Sequence, residues 1–509
     1  MTSRVTTKTW VLVATILGSA MSFIDGTALN VALPVIQREL GANAAQMQWI
    51  VEGYALFLSA LILLGGSLGD LYGRRRLFLI GIAVFTGASV ICAFAPNVEL
   101  LIAARCIQGI GAACAVPESL ALISASFSGP ERGRAIGTWS GFAALTGAAG
   151  PLIGGWLAQH ASWRGLFLIN VPIAIVVTII AARAVPESRD DAMAQRLDIP
   201  GALLATAGLG AFTYGLIGTQ GGRPLAIAIA ALVLGVLLLA AFVVVERRVP
   251  VPMMPLDLFA SRTFSAANLY TLFLYAALGG SLYFLPFVLI DVQHYTPTAA
   301  GGAMLPFMIL MFTLSRWSGG LMGRIGAKIP LVVGAALAAA AFLLYALPGI
   351  GGSFWTTYFP PAVLLGLGGA FFVAPLTTVV FDAVDTEKSG VASGVNNAVA
   401  RTAGLLAIAA FGIVLAGAFN ATFERHLSGQ HLSAQTERIV RDDRARLYAG
   451  TVPADVPQRD RAAVDVAVSQ SYLAGFRAVM VASAATCVLA AVIALVAIPG
   501  QARRAARPS

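Results

Sequence analysis

The decapeptide GSLGDLYGRR, Gly66 to Arg75, joins one apolar stretch to the next. A near copy, GGLMGRIGAK, runs from Gly319 to Lys328. Four residues match at identical offsets: Gly66 with Gly319, Leu68 with Leu321, Gly73 with Gly326, and Arg75 with Lys328. The surroundings repeat too. The fourth apolar stretch carries GIG from Gly109 and then Pro117, and the twelfth carries GLG from Gly366 and then Pro375. Equivalent stretches are therefore eight apart, an offset that two six-helix halves with two helices inserted between them explain. Repeated halves are typical of secondary transporters, which bind substrate between them near the membrane midplane.

The apolar stretches number fourteen: 10–33, 49–69, 77–95, 100–123, 134–157, 165–182, 199–218, 224–245, 264–290, 298–322, 329–347, 357–381, 391–418 and 473–498. A helix needs about 20 apolar residues to cross the hydrocarbon core, and an open strand cannot satisfy its backbone there. Composition agrees. The chain has 509 residues, 58% of them hydrophobic and 11% charged. A soluble fold of that length could not cover so much apolar surface. The expectation is an all-α membrane protein with fourteen transmembrane helices. Residues 1–183 form an N-terminal six-helix bundle and 184–263 two inserted helices with linkers. Residues 264–509 form a C-terminal six-helix bundle with a long extracytoplasmic loop at 419–472. The first stretch contains Asp25 and is too long for the core of a cleaved signal, so it reads as a retained span.

The net charge of +9 comes from 33 basic and 24 acidic residues, and on a soluble protein would suggest nucleic acid. Its distribution says otherwise. With the N-terminus cytoplasmic, short inner segments hold 19 Lys and Arg, against three (Arg38, Arg164, Arg223) in short outer loops. That asymmetry is the positive-inside pattern. It puts both termini, including Arg503, Arg504 and Arg507, in the cytoplasm of a bacterial inner membrane and removes nucleic acid as a partner. The loop 419–472 has seven Arg and seven acidic residues, and could hold one or two short amphipathic helices. The four cysteines lie in apolar stretches without a CxxC spacing, and the four histidines fall between stretches. Neither pattern suggests a disulfide framework, a metal site or a catalytic centre. No lysine completes a P-loop.

Several segments carry a family resemblance. GSLGDLYGRRRL resembles the loop 2–3 signature of the major facilitator superfamily, and RCIQGIGAA (Arg105 to Ala113) its span 4 motif. GAAGPLIGG, with Gly147, Gly150, Pro151, Gly154 and Gly155, resembles the span 5 motif of antiporters. FIDGTALNVALP (Phe23 to Pro34) and WRGLFLINVP (Trp163 to Pro172) resemble the fourteen-helix drug:proton antiporters of EmrB/QacA type. The second half matches more thinly, through GVASGVNNAVARTAG. Leu71 replaces a usual basic residue, Gly323 an acidic one, and span 13 has Arg401 in place of acidic residues found in some relatives. The resemblance implies the major facilitator fold, no cofactor beyond the proton motive force, and drug-like substrates, protons and lipid as partners. A periplasmic adaptor and an outer-membrane channel are further candidate partners.

Candidate functional residues follow from charge and polarity inside apolar stretches. Asp25 lies in span 1 at the shoulder of a polar stripe of Thr15, Ser19, Ser22, Gly26 and Asn30, about 80° wide. An intramembrane carboxylate costs at least ~2.5 kcal/mol, so it should face a wet cavity or a partner. It reads as a proton carrier or as half of a structural ion pair. Arg105 in span 4 can approach it if the family packing holds, as a switch or as a permanent clamp. Glu52 is a second proton-coupling candidate, or a solvated interfacial residue. Candidate cavity residues are Asn30, Tyr54, Gln108, Glu118, Tyr275, Tyr283, Asn396, Asn397 and Arg401, with plain packing as the alternative for the aromatics. Gly66, Gly69, Asp70, Gly73, Arg74 and Arg75 read as a conformational latch, with Asp70 against a helix N-terminus. Gly150 and Gly154 have the spacing that lets helices approach closely.

The functional expectation is a proton-coupled multidrug exporter of amphipathic compounds, working by alternating access, and not an enzyme. The alternatives are a narrow exporter of an endogenous metabolite, lipid or siderophore, an intramembrane enzyme or sensor, and a structural adaptor.

Overall fold

The computed structural model describes residues 2–189, 197–219, 224–385, 388–427, 433–442 and 455–500. Arg223, His431 and the terminal Arg503, Arg504 and Arg507 lie outside the described residues, as does the Arg316 side chain. The described chain is all helical, and fourteen of its helices are long and apolar enough to cross a membrane. In chain order they are α1 (Thr2–Leu40), α2 (Ala44–Tyr72), α3 (Arg74–Ala93), α4 (Val98–Ser126) and α5 (Gly129–His160). Next come α6 (Gly165–Ala184), α7 (Ile199–Gly218), α8 (Leu225–Glu246) and α9 (Arg262–Phe287). The last five are α10 (Leu305–Ile325), α11 (Lys328–Tyr345), α12 (Phe359–Asp382), α13 (Ser389–Leu427) and α14 (Gln458–Ala497).

Local chemistry sets the helix ends. Gly41 at φ 62° and Gly73 at φ 104° end α1 and α2 in the left-handed region that glycine enters freely. Asn97 caps α4 by accepting the Leu100 N–H at 2.9 Å, with Glu99 in its first turn. Pro306 lacks an N–H, and a break at Met304 separates α10 from the short helix Pro297–Ala303. Three helices outrun their apolar stretches. α1, α13 and α14 span 39, 39 and 40 residues, about 58–60 Å at 1.5 Å per residue. Backbone hydrogen bonding does not stop where hydropathy falls, so polar flanks continue the helix. Most of the described residues of the predicted loop 419–472 are thus helical, and among them a short helix, Ala434–Asp442, lies between α13 and α14. Asp460 anchors it by accepting from the Ser433 N–H, the Ser433 hydroxyl and the Thr436 hydroxyl at 3.1, 2.6 and 2.6 Å.

The chain divides into two compact units. Unit 1 comprises Met1–Ala32, Trp49–Ala211 and Leu234–Asp257, and unit 2 the remainder, so the division crosses α1, α2, α7 and α8. Each unit shows the same internal plan. In unit 1, Gly109 of α4 meets the Tyr54 backbone of α2, and Gly111 meets Phe85 of α3. In unit 2, Gly366 of α12 meets the Phe307 backbone of α10, and Gly368 meets Gly334 of α11. Gly154 of α5 lies on Ala28 of α1, as Gly404 of α13 lies near Gly279 of α9. The hinge glycine repeats as well, Gly326 having φ 76° where Gly73 has 104°. The sequence repeat is therefore a packing repeat. Small residues let backbones touch where apolar lipid gives helices no other reason to associate. α8 keeps Val233, Leu234, Val236 and Leu237 more than half exposed, an apolar face suited to lipid.

A Cβ on Gly111 would lie 2.5 Å from the Phe85 nitrogen, whereas one on Gly87 meets nothing within 4 Å. We expect Gly111→Ala to lower the thermal midpoint in detergent through overpacking of ~1–3 kcal/mol. Gly87→Ala should leave it unchanged or raise it slightly. Equal midpoints for the two variants would contradict this packing.

Candidate functional site

Two polar layers lie within unit 1. The first centres on Asp25, whose side chain is 2% exposed, and Arg105, at 1%. Arg105 and Gln108 are three residues apart on α4 and so share a face. Arg105 Nη1 donates to Asp25 Oδ2 at 2.5 Å and to Gln108 Oε1 at 2.5 Å. Its Nε donates to the Ile50 carbonyl at 3.0 Å, tying in the start of α2. The guanidinium lies 4.3 Å from the Tyr54 ring centre and 5.9 Å from that of Phe167. Such faces attract a cation. Gln108 Nε2 donates to Asp25 Oδ1 at 2.9 Å and to Ser89 Oγ at 2.9 Å. Asn170 Nδ2 reaches the same Ser89 oxygen at 3.3 Å. Both carboxylate oxygens of Asp25 therefore receive donors, which is the condition for a charge to persist in a buried place. Trp139 of α5 closes the stripe lower down, its Nε1 donating to Ser19 Oγ at 3.1 Å.

The structure thus brings Asp25, Arg105, Gln108 and Tyr54 together. Sequence reasoning missed Ser89, Asn170 and Phe167. Asn170 and Phe167 sit in the quoted WRGLFLINVP segment, but nothing in their spacing pointed at Asp25. Ser89 is one serine in an apolar run and carries no signal. Glu52 is fully buried in α2, and neither carboxylate oxygen has a hydrogen-bond partner among the described residues. Asn30 is half-buried, its Oδ1 likewise unpartnered among them.

The second layer stands thirteen residues further along α4, or about 20 Å of helix. Glu118 is fully buried, and its carboxylate presses on Gly69, where a side chain would collide. Both Glu118 oxygens lack hydrogen-bond partners among the described residues. Asp70 accepts from Arg74, with Nε at 2.9 Å and Nη2 at 2.7 Å. The place at the helix N-terminus expected for Asp70 belongs instead to Glu187, from the segment after α6. Glu187 accepts the backbone N–H of Arg75 at 2.9 Å and of Arg76 at 3.1 Å. The Arg74 N–H reaches the Ser188 carbonyl at 2.9 Å, and Arg75 Nη1 the Val185 carbonyl at 3.1 Å. A Cβ at Gly73 would lie 2.8 Å from the Glu187 carboxyl carbon, so glycine serves both the turn and this approach. A Cβ at Gly66 would lie 3.8 Å from Pro117, an ordinary contact.

Of the antiporter-motif residues, Gly150 and Gly154 lie on Thr27 and Ala28, next to Asp25 on α1. A Cβ at Gly147 would meet nothing within 4 Å among the described residues, Pro151 lies inside α5, and Gly155 is buried. In unit 2, Asn396 Nδ2 donates to Thr271 Oγ1 at 2.8 Å and Asn268 Oδ1 at 3.1 Å. Asn397 is exposed and bonds the Ser393 carbonyl, while Arg401 and Tyr275 are half-buried. Tyr283 is buried among Phe284 and Phe287, with ring centres 4.8 and 5.6 Å away. Among the described residues no group of three or more His, Cys, Asp or Glu is placed to hold a metal.

The sequence profile of the Major Facilitator Superfamily matches residues 15–409. The chain belongs to that superfamily. The multidrug resistance protein Stp of Mycobacterium tuberculosis is 34% identical over 500 residues, covering 94% of this chain and 90% of Stp. The tetracenomycin C resistance and export protein of Streptomyces glaucescens is 31% identical, covering 95% of this chain and 90% of its own length. The fold resembles that of a bacterial homologue of the human lysosomal transporter Spinster, solved inward-facing and unoccupied. Its TM-score is 0.67 at 18% identity, covering 96% of this chain and 97% of that one.

Glu187→Ala should expose the α3 N–H groups and lower the thermal midpoint in detergent, by the equivalent of ~1 kcal/mol. Glu187→Gln, which keeps an acceptor, should recover part of the loss. An unchanged midpoint in both would mean that the segment after α6 does not hold α3.

Proposed function

We propose that the protein is a proton-coupled exporter of amphipathic, mainly hydrophobic compounds that works by alternating access in a bacterial inner membrane. Stp is named for multidrug resistance, and the Streptomyces glaucescens protein for tetracenomycin C resistance and export. The observation that carries the coupling mechanism is the buried Asp25–Arg105 pair, in which a single proton removes the ion–ion attraction. While Asp25 is ionised, Arg105 and Gln108 hold it and tie α1 to α4. A proton on Asp25 removes its charge and leaves Arg105 with a weakened hold on α1, so the two helices can part. A substrate that favours the parted state then exchanges with the proton. Glu52 and Glu118, buried without hydrogen bonds among the described residues, are the further proton-carrying candidates. One proton falling through ~150 mV supplies about 3.5 kcal/mol, a few hundredfold of gradient for a neutral substrate. One carboxyl group is therefore sufficient.

A narrow exporter is the second reading, favoured by the tetracenomycin relative, which is named for a single compound. A panel of unrelated amphipathic compounds separates the two, since a multidrug exporter moves several and a narrow one a single chemical class.

The coupling reading is tested in proteoliposomes with an imposed pH gradient. Wild type should move substrate against its concentration gradient, and Asp25→Asn should only equilibrate it. Arg105→Ala should insert and bind substrate but lose the dependence on the gradient. Gradient-driven accumulation by Asp25→Asn at the wild-type level would refute the coupling role of Asp25.

A further inference from the structure

The orientation of the Gln108 amide is not free. The Ser89 hydroxyl donates to the Phe85 carbonyl at 2.8 Å, so its one hydrogen is committed to its own helix. Its oxygen can then only accept, and it accepts from Gln108 Nε2 at 2.9 Å and Asn170 Nδ2 at 3.3 Å. A hydroxyl filled in this way turns the NH2 side of Gln108 toward itself and toward Asp25. The carbonyl side is thereby turned to Arg105, where it accepts at 2.5 Å. The polarity of one helix carbonyl on α3 is thus relayed through Ser89 and Gln108 to the carboxylate on α1. Ser89 and Gln108 are fully buried, and Asn170 is 1% exposed.

We propose that Ser89, held from its far side by Asn170, is a positioning residue that fixes the Gln108 amide with its donor toward Asp25 and so keeps Asp25 an acceptor. This rests on the reading of Asp25 as the coupling carboxyl. A protonated Asp25 donates a hydrogen bond, and the fitting partner is the Gln108 carbonyl, which reaches Asp25 only if the amide turns over. The turn brings two donors, Nε2 and Arg105 Nη1, face to face. It therefore proceeds together with withdrawal of Arg105. It also requires the Ser89 hydrogen to leave Phe85 and point at the turned amide. Protonation, amide reversal and release of Arg105 form one concerted change, with Ser89 as its pivot. The role of Asn170 explains why a neutral amide stands at the start of α6, where it has no part in binding a charge. Among the described residues, the charged and titratable groups around the network are Arg105 and Cys106 on α4, Tyr54 on α2, and Cys92 on α3, whose sulfur lies 4.0 Å from Gln108 Oε1. Glu52 on α2 makes no hydrogen bond to it among the described residues. From α6 come only the neutral Asn170 and Phe167.

The test follows the infrared carbonyl band of protonated Asp25, isolated as the difference between each protein and its Asp25→Asn counterpart, while pH is varied. Substrate transport is measured across the same pH range. In Ser89→Ala the amide loses the acceptor that orients it, and Asp25 loses a donor to its charged form. The midpoint of the band should move up by about one pH unit, the tenfold change expected for one charge-assisted hydrogen bond. Ser89→Thr, which keeps the hydroxyl, should restore the wild-type midpoint. Asn170→Ala should shift it in the same direction by less. A midpoint that is the same in wild type, Ser89→Ala and Asn170→Ala would overturn the proposal. If Ser89→Ala does not fold, Asn170→Ala and Ser89→Thr alone decide, since an unshifted Asn170→Ala also overturns it. A shifted band combined with transport that ignores Asp25→Asn would leave the positioning role standing and remove the coupling role of Asp25.

Discussion

An ionised side chain in an apolar span is the constraint from which the rest of unit 1 follows. Asp25 carries a carboxylate in the packed interior, away from bulk water, and Arg105 carries the compensating charge at 2.5 Å. A pair this deep persists only when its remaining donors and acceptors are also met. Meeting them draws in the Ile50 carbonyl of α2, Ser89 of α3, Gln108 of α4 and Asn170 of α6. Five helices therefore converge on one carboxyl group. The glycines make that convergence geometrically feasible. Gly109 and Gly111 bring α4 against α2 and α3, and Gly150 and Gly154 bring α5 against α1 beside Asp25. Polar cluster and small-residue contacts are one construction: the first needs close helices, and the second supplies them.

The two layers of unit 1 differ in chemistry as well as height. Around Asp25 the carboxylate is paired with Arg105, and the Gln108 and Asn170 amides are engaged. Around Glu118 the carboxylate is buried against Gly69 without a hydrogen bond among the described residues, next to the Asp70–Arg74 pair. A saturated layer resists change until a proton arrives. An unsaturated carboxyl in a tight place is sensitive to any movement of α2 against α4, because Gly69 and Glu118 cannot close further. α4 carries both layers and is the mechanical link between them. The Glu187 segment, holding the backbone of α3 at Arg74, Arg75 and Arg76, fixes the neighbour against which such movement occurs.

The large-scale design was legible in the sequence because it is written in features with a period. Apolar stretches near 20 residues gave fourteen spans, and offsets of Gly66, Gly73, Gly319 and Gly326 gave the repeat now visible as matching left-handed hinges. The Asp25–Arg105 approach was legible because an intramembrane carboxylate needs a partner and the family resemblance pointed to Arg105. What escaped reading had no such signature. The polar extensions of α1, α13 and α14 look like loops to hydropathy, although helix hydrogen bonds are indifferent to it. Ser89 and Asn170 are uncharged and common, and their importance lies in which lone pair faces which donor. Glu187 is 112 residues from the Arg75 N–H it accepts, and a run of arginines made Asp70 the more obvious candidate.

The central claim is that the Asp25–Arg105 pair is a joint operated by a proton. The most direct measurement is the distance between a nitroxide on α1 and one on α4, recorded by pulsed electron resonance as pH is lowered. The account predicts a second, longer distance that grows in wild type as Asp25 protonates, and that is present at every pH in Asp25→Asn. A single unchanging distance in both proteins would show the pair to be a fixed clamp and would contradict the account.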